Sequence, residues 1–174
     1  MADEPRGEEA ALVAVQHAVA GRPGVLAGAR ALSHFGEHSI GWLVVSALGA
    51  LLQPSRRRAW LTAGAGAFLA HAAAVVIKRI VKRERPHHPA VVVNVGTPSR
   101  LSFPSAHATS TTAASILLAR ATGLPLPAVL VPPMALSRLV LGVHYPSDVL
   151  TGVAVGAVVA KTVGAAVDRV GGDG

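Results

Sequence analysis

Between His38 and Val167 the chain carries two carboxylates, Glu84 and Asp148. A water-soluble domain scatters acids over its surface, so a stretch this long and this poor in them must be solvated by something other than water. With 51% hydrophobic and 14% charged residues, the 174-residue chain is too apolar for an ordinary soluble globule. Lipid leaves only helices and closed barrels able to satisfy their own backbone groups. The apolar runs here have helical length, so the expected fold is all-α, an integral-membrane helical bundle of about five to six helices in one domain. Each of the two carboxylates is expected to be kept for a task.

Five runs are candidates to cross: about 39–53, 59–80, 105–121, 124–142 and 147–167. Gly64, Gly66, Ala70, Gly152 and Gly156 would let these helices approach closely. Residues 8–20 and 24–35 also have helical spacing but are shorter than the ~20 apolar residues of a crossing. They read as interfacial or obliquely packed helices, so residues 1–37 precede a catalytic bundle over 38–167, and 168–174 read as a flexible tail. The acidic start, with Asp3, Glu4, Glu8 and Glu9, is unlike the basic start of a secretory signal peptide.

A net charge of +7 raises nucleic acid as a partner. Against it, the basic residues lie between apolar runs, and 3% aromatics offer few platforms for stacking bases. Phosphate remains the ligand class that such Lys/Arg clusters favour. Without cysteine there is no thiolate nucleophile and no Cys-ligated zinc.

Three motifs carry chemistry. In KRIVKRERP (78–86), Lys78 and Arg85 are seven residues apart, two helical turns, and so can point the same way. Pro86 biases Arg85 out of helix and ends the segment. A snorkelling interfacial cluster is the alternative for this motif alone. In Pro104-Ser105-Ala106-His107, Ser105 is placed to cap the next helix, whose free N–H groups then form an anion site. His107 in the first turn could give a proton to a leaving oxygen. In SRLVLGVHYPSD (137–148), His144 and Asp148 are four apart, and Pro146 suits the first turn of a helix holding Asp148 near the imidazole. A carboxylate there can hold Nδ1–H and leave Nε2 to attack. The polar connection from Lys82 to Pro104 joins these motifs, and His87 and His88 read as residues lining its entrance.

In this order, Lys-x6-Arg-Pro, Pro-Ser-Ala-His and Ser-Arg-x5-His-x3-Asp, the sequence resembles the membrane branch of the type 2 phosphatidic acid phosphatase superfamily. The match covers residues 78–148. It departs at Ala106, where the family usually has glycine. An N-terminal helix position has negative φ, so alanine keeps its N–H available, while its methyl narrows the approach of a bulky substrate. The resemblance implies a six-helix core, no metal and no cofactor, and a phosphohistidine mechanism. His144 would attack phosphorus, Asp148 would orient it, and His107 would protonate the leaving alkoxide. Lys78, Arg85, Ser105, Ala106 and Arg138 would hold the phosphoryl oxygens.

Longer stretches, SHFGEHSIGW, KRERPHHPAVVVNVGTPSRLSFPSAHATSTTAAS and PPMALSRLVLGVHYPSDV, resemble a branch of that family acting on decaprenyl-linked 5-phosphoribose. That implies a phosphorylated polyprenyl lipid as substrate, in cell-wall arabinan precursor synthesis. Polyprenyl-diphosphate or phosphatidylglycerophosphate hydrolysis would use the same residues, and a phosphate-lipid-binding scaffold is the non-enzymatic alternative. His34-Phe35-Gly36-Glu37-His38 also fits the H-x-x-E-H zinc signature, but Gly36 interrupts the helix that the signature demands. If the five spans hold, ten basic residues share the site's face of the membrane against six on the other. Ten favours a cytoplasmic site, yet three of them are expected phosphate ligands, and seven against six decides nothing. Oligomeric state is open.

Overall fold

A computed structural model describes residues 4–172, with side chains through Val170. It contains α1 (Gly7–Val19), α2 (Val25–Gly36), α3 (Ile40–Leu52), α4 (Arg57–Val81), α5 (Ala106–Thr122), α6 (Leu126–Val140) and α7 (Pro146–Gly172). Short 3-10 turns at Glu37–Ser39 and Pro54–Arg56 precede α3 and α4. Among the described residues the sole β pairing is an isolated antiparallel bridge between Glu84 and Leu101. The five runs expected to cross correspond to α3 to α7, of which α3 and α6, at 13 and 15 residues, are shorter than a crossing needs by themselves. Among the described residues three runs, Val25–Leu52, Pro54–Val81 and Pro146–Val170, are long and apolar enough to cross a membrane. At 25 and 27 residues, α4 and α7 rise about 37 and 40 Å, beyond the ~30 Å of a hydrocarbon core.

Packing inverts the pattern of a soluble core. Alanines 63, 67, 70, 113 and 114 are buried around Trp42 and Leu117, while Leu52, Leu61, Phe68, Val76, Leu150 and Val158 face outward. Small residues inside and large apolar residues outside suit helices whose outer solvent is lipid. The glycines singled out by sequence explain how close the helices come. A Cβ on Gly152 would lie 2.7 Å from the Ser105 carbonyl oxygen, and one on Gly156 would lie 2.4 Å from that of Thr109. Helix α7 therefore runs against the α5 backbone. Several polar side chains of α5 find partners within the bundle: Thr109 Oγ1 donates to Ser105 O at 2.8 Å, and Thr111 Oγ1 accepts from Trp42 Nε1 at 3.1 Å, while the buried Thr112 hydroxyl has none.

Helices α1 and α2 are packed onto one end of the bundle. Ala29, Val140, Leu141 and Val143 form a buried cluster with Val15, Val19, Val25 and Leu26 around it. From α1, the Gln16 amide donates to Val92 O and Val140 O at 2.7 and 3.1 Å and accepts from Val92 N at 3.1 Å. The pair is thus packed over the end where α6 stops, and α2 forms the first part of the apolar run Val25–Leu52. At the other terminus α7 continues to Gly172, so the residues from 168 that sequence reads as a tail are helical as far as Gly172. The last part of that expected tail lies outside the described residues.

Candidate active site

Local sequence brings the three motifs to the same end. Helix α4 stops at Val81 because Lys82 turns left-handed, φ 55°. The chain then forms a narrow two-way strap, with Arg85 N donating to Arg100 O and Ser102 N to Arg83 O. Arg85 accordingly reaches the site from the strap and not from the helical face it was expected to share with Lys78. Its Nε donates to Ser99 O at 2.8 Å and its Nη1 to Val143 O at 2.6 Å. Gly142, φ 69°, ends α6, and a Cβ there would meet Val92 O at 2.3 Å. This turn delivers His144 just before Pro146 starts α7.

The result is a cavity of ≈ 540 Å³. Lys78, Arg85, Ala106, His107, Arg138 and His144 all line it. Arg138 is 2% exposed, its Nε donates to Ser137 Oγ at 3.2 Å, and its Nη2 has no partner. Among the described residues no carboxylate pairs with it. Isolating a guanidinium this way costs roughly several kcal/mol, which an incoming anion would offset. Arg85 remains a cation: burial lowers its pKa from 12.5 to about 10, with the Asp148 charge acting the other way. Its Nη1 lies 3.4 Å from His144 Nε2. Burial first, then the charges of Arg85, Lys78 and Arg138, push the His144 pKa well below 6.5, so its imidazole is neutral at pH 7.

The remaining expected site residues take more particular places. Lys78 Nζ donates to the carbonyls of Leu101, Ser102 and Pro104 at 3.1, 3.0 and 3.1 Å. All three of its protons are in use, so a phosphate oxygen would have to replace a carbonyl. Ser105 caps α5, accepting from Ala108 N at 3.4 Å, but it is fully buried and does not line the cavity. Ala106 and His107, one position on, do. His107 Nε2 bonds to Ser33 O at 2.9 Å; a carbonyl only accepts, so Nε2 carries a proton and Nδ1 is the nitrogen left for other partners. Asp148 Oδ2 is 3.6 Å from His144 Nδ1, longer than a hydrogen bond, and accepts instead from Tyr145 N at 2.8 Å.

The sequence profile of the PAP2 superfamily matches residues 59–170. The chain belongs to this superfamily. Among its relatives is the decaprenylphosphoryl-5-phosphoribose phosphatase of Mycolicibacterium smegmatis, 78% identical over 152 residues that cover 87% of this chain and 84% of the relative. The protein of that same name from Mycobacterium tuberculosis (strain ATCC 25618 / H37Rv) is 71% identical over 168 residues, 97% of this chain and 93% of the relative. The fold is that of a transmembrane PAP2-type phosphatidylglycerolphosphate phosphatase from Bacillus subtilis, with a TM-score of 0.70 at 20% identity over 91% of this chain and 85% of that one. Together with the long apolar helices, this makes the PAP2 chain a membrane protein.

Sequence alone missed what holds Asp148 in this PAP2 chain. Arg83 Nη1 donates to Asp148 Oδ1 at 3.1 Å and to Ser147 Oγ at 2.6 Å, and its Nη2 pairs with Glu8 Oε2 at 2.6 Å. Glu8 Oε1 accepts from Ser147 N at 2.8 Å, and the guanidinium lies 4.0 Å over the Tyr145 ring. Burial opposes ionisation of Glu8, but its bonds to Arg83 and Ser147 prevail and lower its pKa. Glu84, the other carboxylate expected to have a task, is exposed and contributes backbone bonds to the strap. His87 and His88 lie in the strap's return and do not line the cavity. Helix α2 ends at Gly36 and His38 has φ 49°, so the H-x-x-E-H residues do not share a helix face. Among the described residues no group of three or more potential metal ligands occurs.

Proposed function

We propose that the chain is a lipid phosphatase that hydrolyses the 5-phosphate of decaprenylphosphoryl-5-phosphoribose, giving decaprenylphosphoryl ribose and phosphate. The observation that carries phosphate chemistry is Arg138, a buried and unneutralised cation lining the cavity that also contains His144. Substrate identity is supported by the 71–78% identical relatives bearing that name.

In the mechanism, His144 Nε2 uses its free electron pair to form an N–P bond as the P–O bond to the ribose oxygen breaks. His107 enters the step as the imidazolium, keeping its Nε2–H on Ser33 O, and gives its Nδ1 proton to the departing oxygen. Water then attacks phosphorus, its proton passes to His107, and the N–P bond breaks to return neutral His144. Arg138, Arg85 and the Ala106 N–H at the α5 terminus bear the charge on the phosphoryl oxygens. Lys78 adds its charge while holding the loop that presents Ala106 and His107. Asp148 sits on the Nδ1 side of His144, where a shift of a few tenths of an ångström gives the bond that fixes the attacking tautomer. No metal enters any step.

The site faces the cytoplasm in this proposal, because a phosphoribosyl lipid is assembled from a cytosolic sugar donor. The chain has no cysteine, so a single cysteine placed at Thr97 reports the side directly through labelling by an impermeant thiol reagent in intact cells. The substrate is tested by phosphate release from the phosphoribosyl lipid, a polyprenyl diphosphate and phosphatidylglycerophosphate, each with and without chelator. Preference for the phosphoribosyl lipid that survives chelation is expected; preference for another lipid, or loss with chelator, overturns the substrate or the metal-free mechanism respectively.

A further inference from the structure

The cavity is far larger than a phosphoryl group, and the phosphate machinery occupies one part of it. Its other wall is made where α2 ends. Ser33 O holds His107 Nε2, and a Cβ on Gly36 would lie 2.5 Å from His107 Cδ2, so this end of α2 rests on the ring that faces the leaving oxygen. The chain then turns through Glu37–Ser39 with two successive non-glycine residues in left-handed backbone, His38 at φ 49° and Ser39 at φ 62°. Strain of this kind is kept where the surroundings require a particular presentation of side chains.

What the turn presents is polar. Glu37 and His38 line the cavity, and His38 meets His71 of α4 with ring centroids 5.8 Å apart. His71 also lines it, and its Nδ1 is buried without a hydrogen-bond partner. An ionisable residue inside an apolar spanning helix is costly unless it serves a ligand or a partner. Glu37 is the one carboxylate among the described residues lining the cavity. A carboxylate and imidazole nitrogens suit hydroxyl groups, whereas a second phosphate placed beside the leaving oxygen would meet the Glu37 charge.

We propose that Glu37, His38 and His71 form a subsite for the hydroxyl-bearing pentose ring next to the ester oxygen, and that it selects sugar phosphates over diphosphates, in which a second phosphate directly follows that oxygen. This rests on the phosphatase function proposed above and adds the part of the site that reads the alcohol. The hydroxyls hydrogen-bond to the turn and to His71 while His107 protonates the adjacent ester oxygen. Leaving a built polar group unpaired is what penalises an analogue without hydroxyls.

The test is the ratio of kcat/KM for decaprenylphosphoryl-5-phosphoribose to that for dodecyl phosphate, an ester with no hydroxyl, measured in the full-length protein. Glu37→Gln and His71→Leu are each expected to lower the ratio by about tenfold or more. Glu37→Gln is also expected to raise the rate on a polyprenyl diphosphate relative to the phosphoribosyl lipid. Glu37 is partly exposed, so that variant keeps the fold even where His71→Leu does not. A ratio unchanged by Glu37→Gln, or a parallel fall on both esters, overturns the subsite and leaves the phosphatase function standing. Wild-type protein inactive on both esters overturns both.

Discussion

Both ends of the bundle are basic and both are hollow, yet they differ in how the cations are held. At the far end a cavity of ≈ 610 Å³ is lined by Arg56, Arg58 and Arg120. There Arg120 pairs with Asp168 at 2.6 Å, Arg58 caps Val167 O at 2.8 Å, and the side chains are exposed. At the site end Arg138 is buried, unpaired and beside a neutral imidazole. Cavity size alone would rank the far end first. Only the site end stores electrostatic free energy that an anion can release, and it alone places a nucleophile beside that charge.

The contrast breaks most sharply at His144. His144→Ala is expected to lower kcat by about 10³-fold or more on the phosphoribosyl lipid, measured by phosphate release. Because the folded pKa of His144 is depressed, wild-type kcat/KM, corrected for the substrate's own second ionisation at about pH 6, should hold as pH falls past 6.5 and decline only through that lower value. An acidic limb at or above 6.5 would mean that His144 is not the neutral nucleophile.

Arg138→Met ranks next. It removes the buried charge at similar volume, so activity should fall about 10²- to 10³-fold while the melting temperature holds or rises. A matched fall in stability would instead make Arg138 a structural residue. Arg83→Met and Glu8→Gln loosen Asp148 without touching the cavity, and about a tenfold fall in kcat with little change in KM is expected. Arg120→Gln, at the far end, should change activity less than about twofold and stability by under ~1 kcal/mol. A large loss there would erase the distinction between the two ends.

The helices and the turn chemistry were readable because they depend on near neighbours. Hydropathy located α3 to α7 within a few residues, Ser105 before Ala106 marked a cap, and Pro146 marked the start of α7. The glycines that let α5 and α7 touch were visible for the same reason. Placements decided by distant chain segments were not readable. Arg85 could be given a helical phase with Lys78, but Lys82 breaks the helix and the strap carries Arg85 to the site. Glu8 looked like one of several N-terminal acids, since nothing near it in sequence points to Arg83, 75 residues away. Lys78 matched a phosphate-binding motif, while its carbonyl partners belong to a loop more than 20 residues on.

The proposed mechanism requires a covalent bond between phosphorus and His144. Rapid quenching of wild-type protein turning over substrate labelled in the 5-phosphate should trap an acid-labile, base-stable phosphoryl group on the peptide containing His144, and none in His144→Ala. Label on another residue, or on that peptide in His144→Ala, would contradict it.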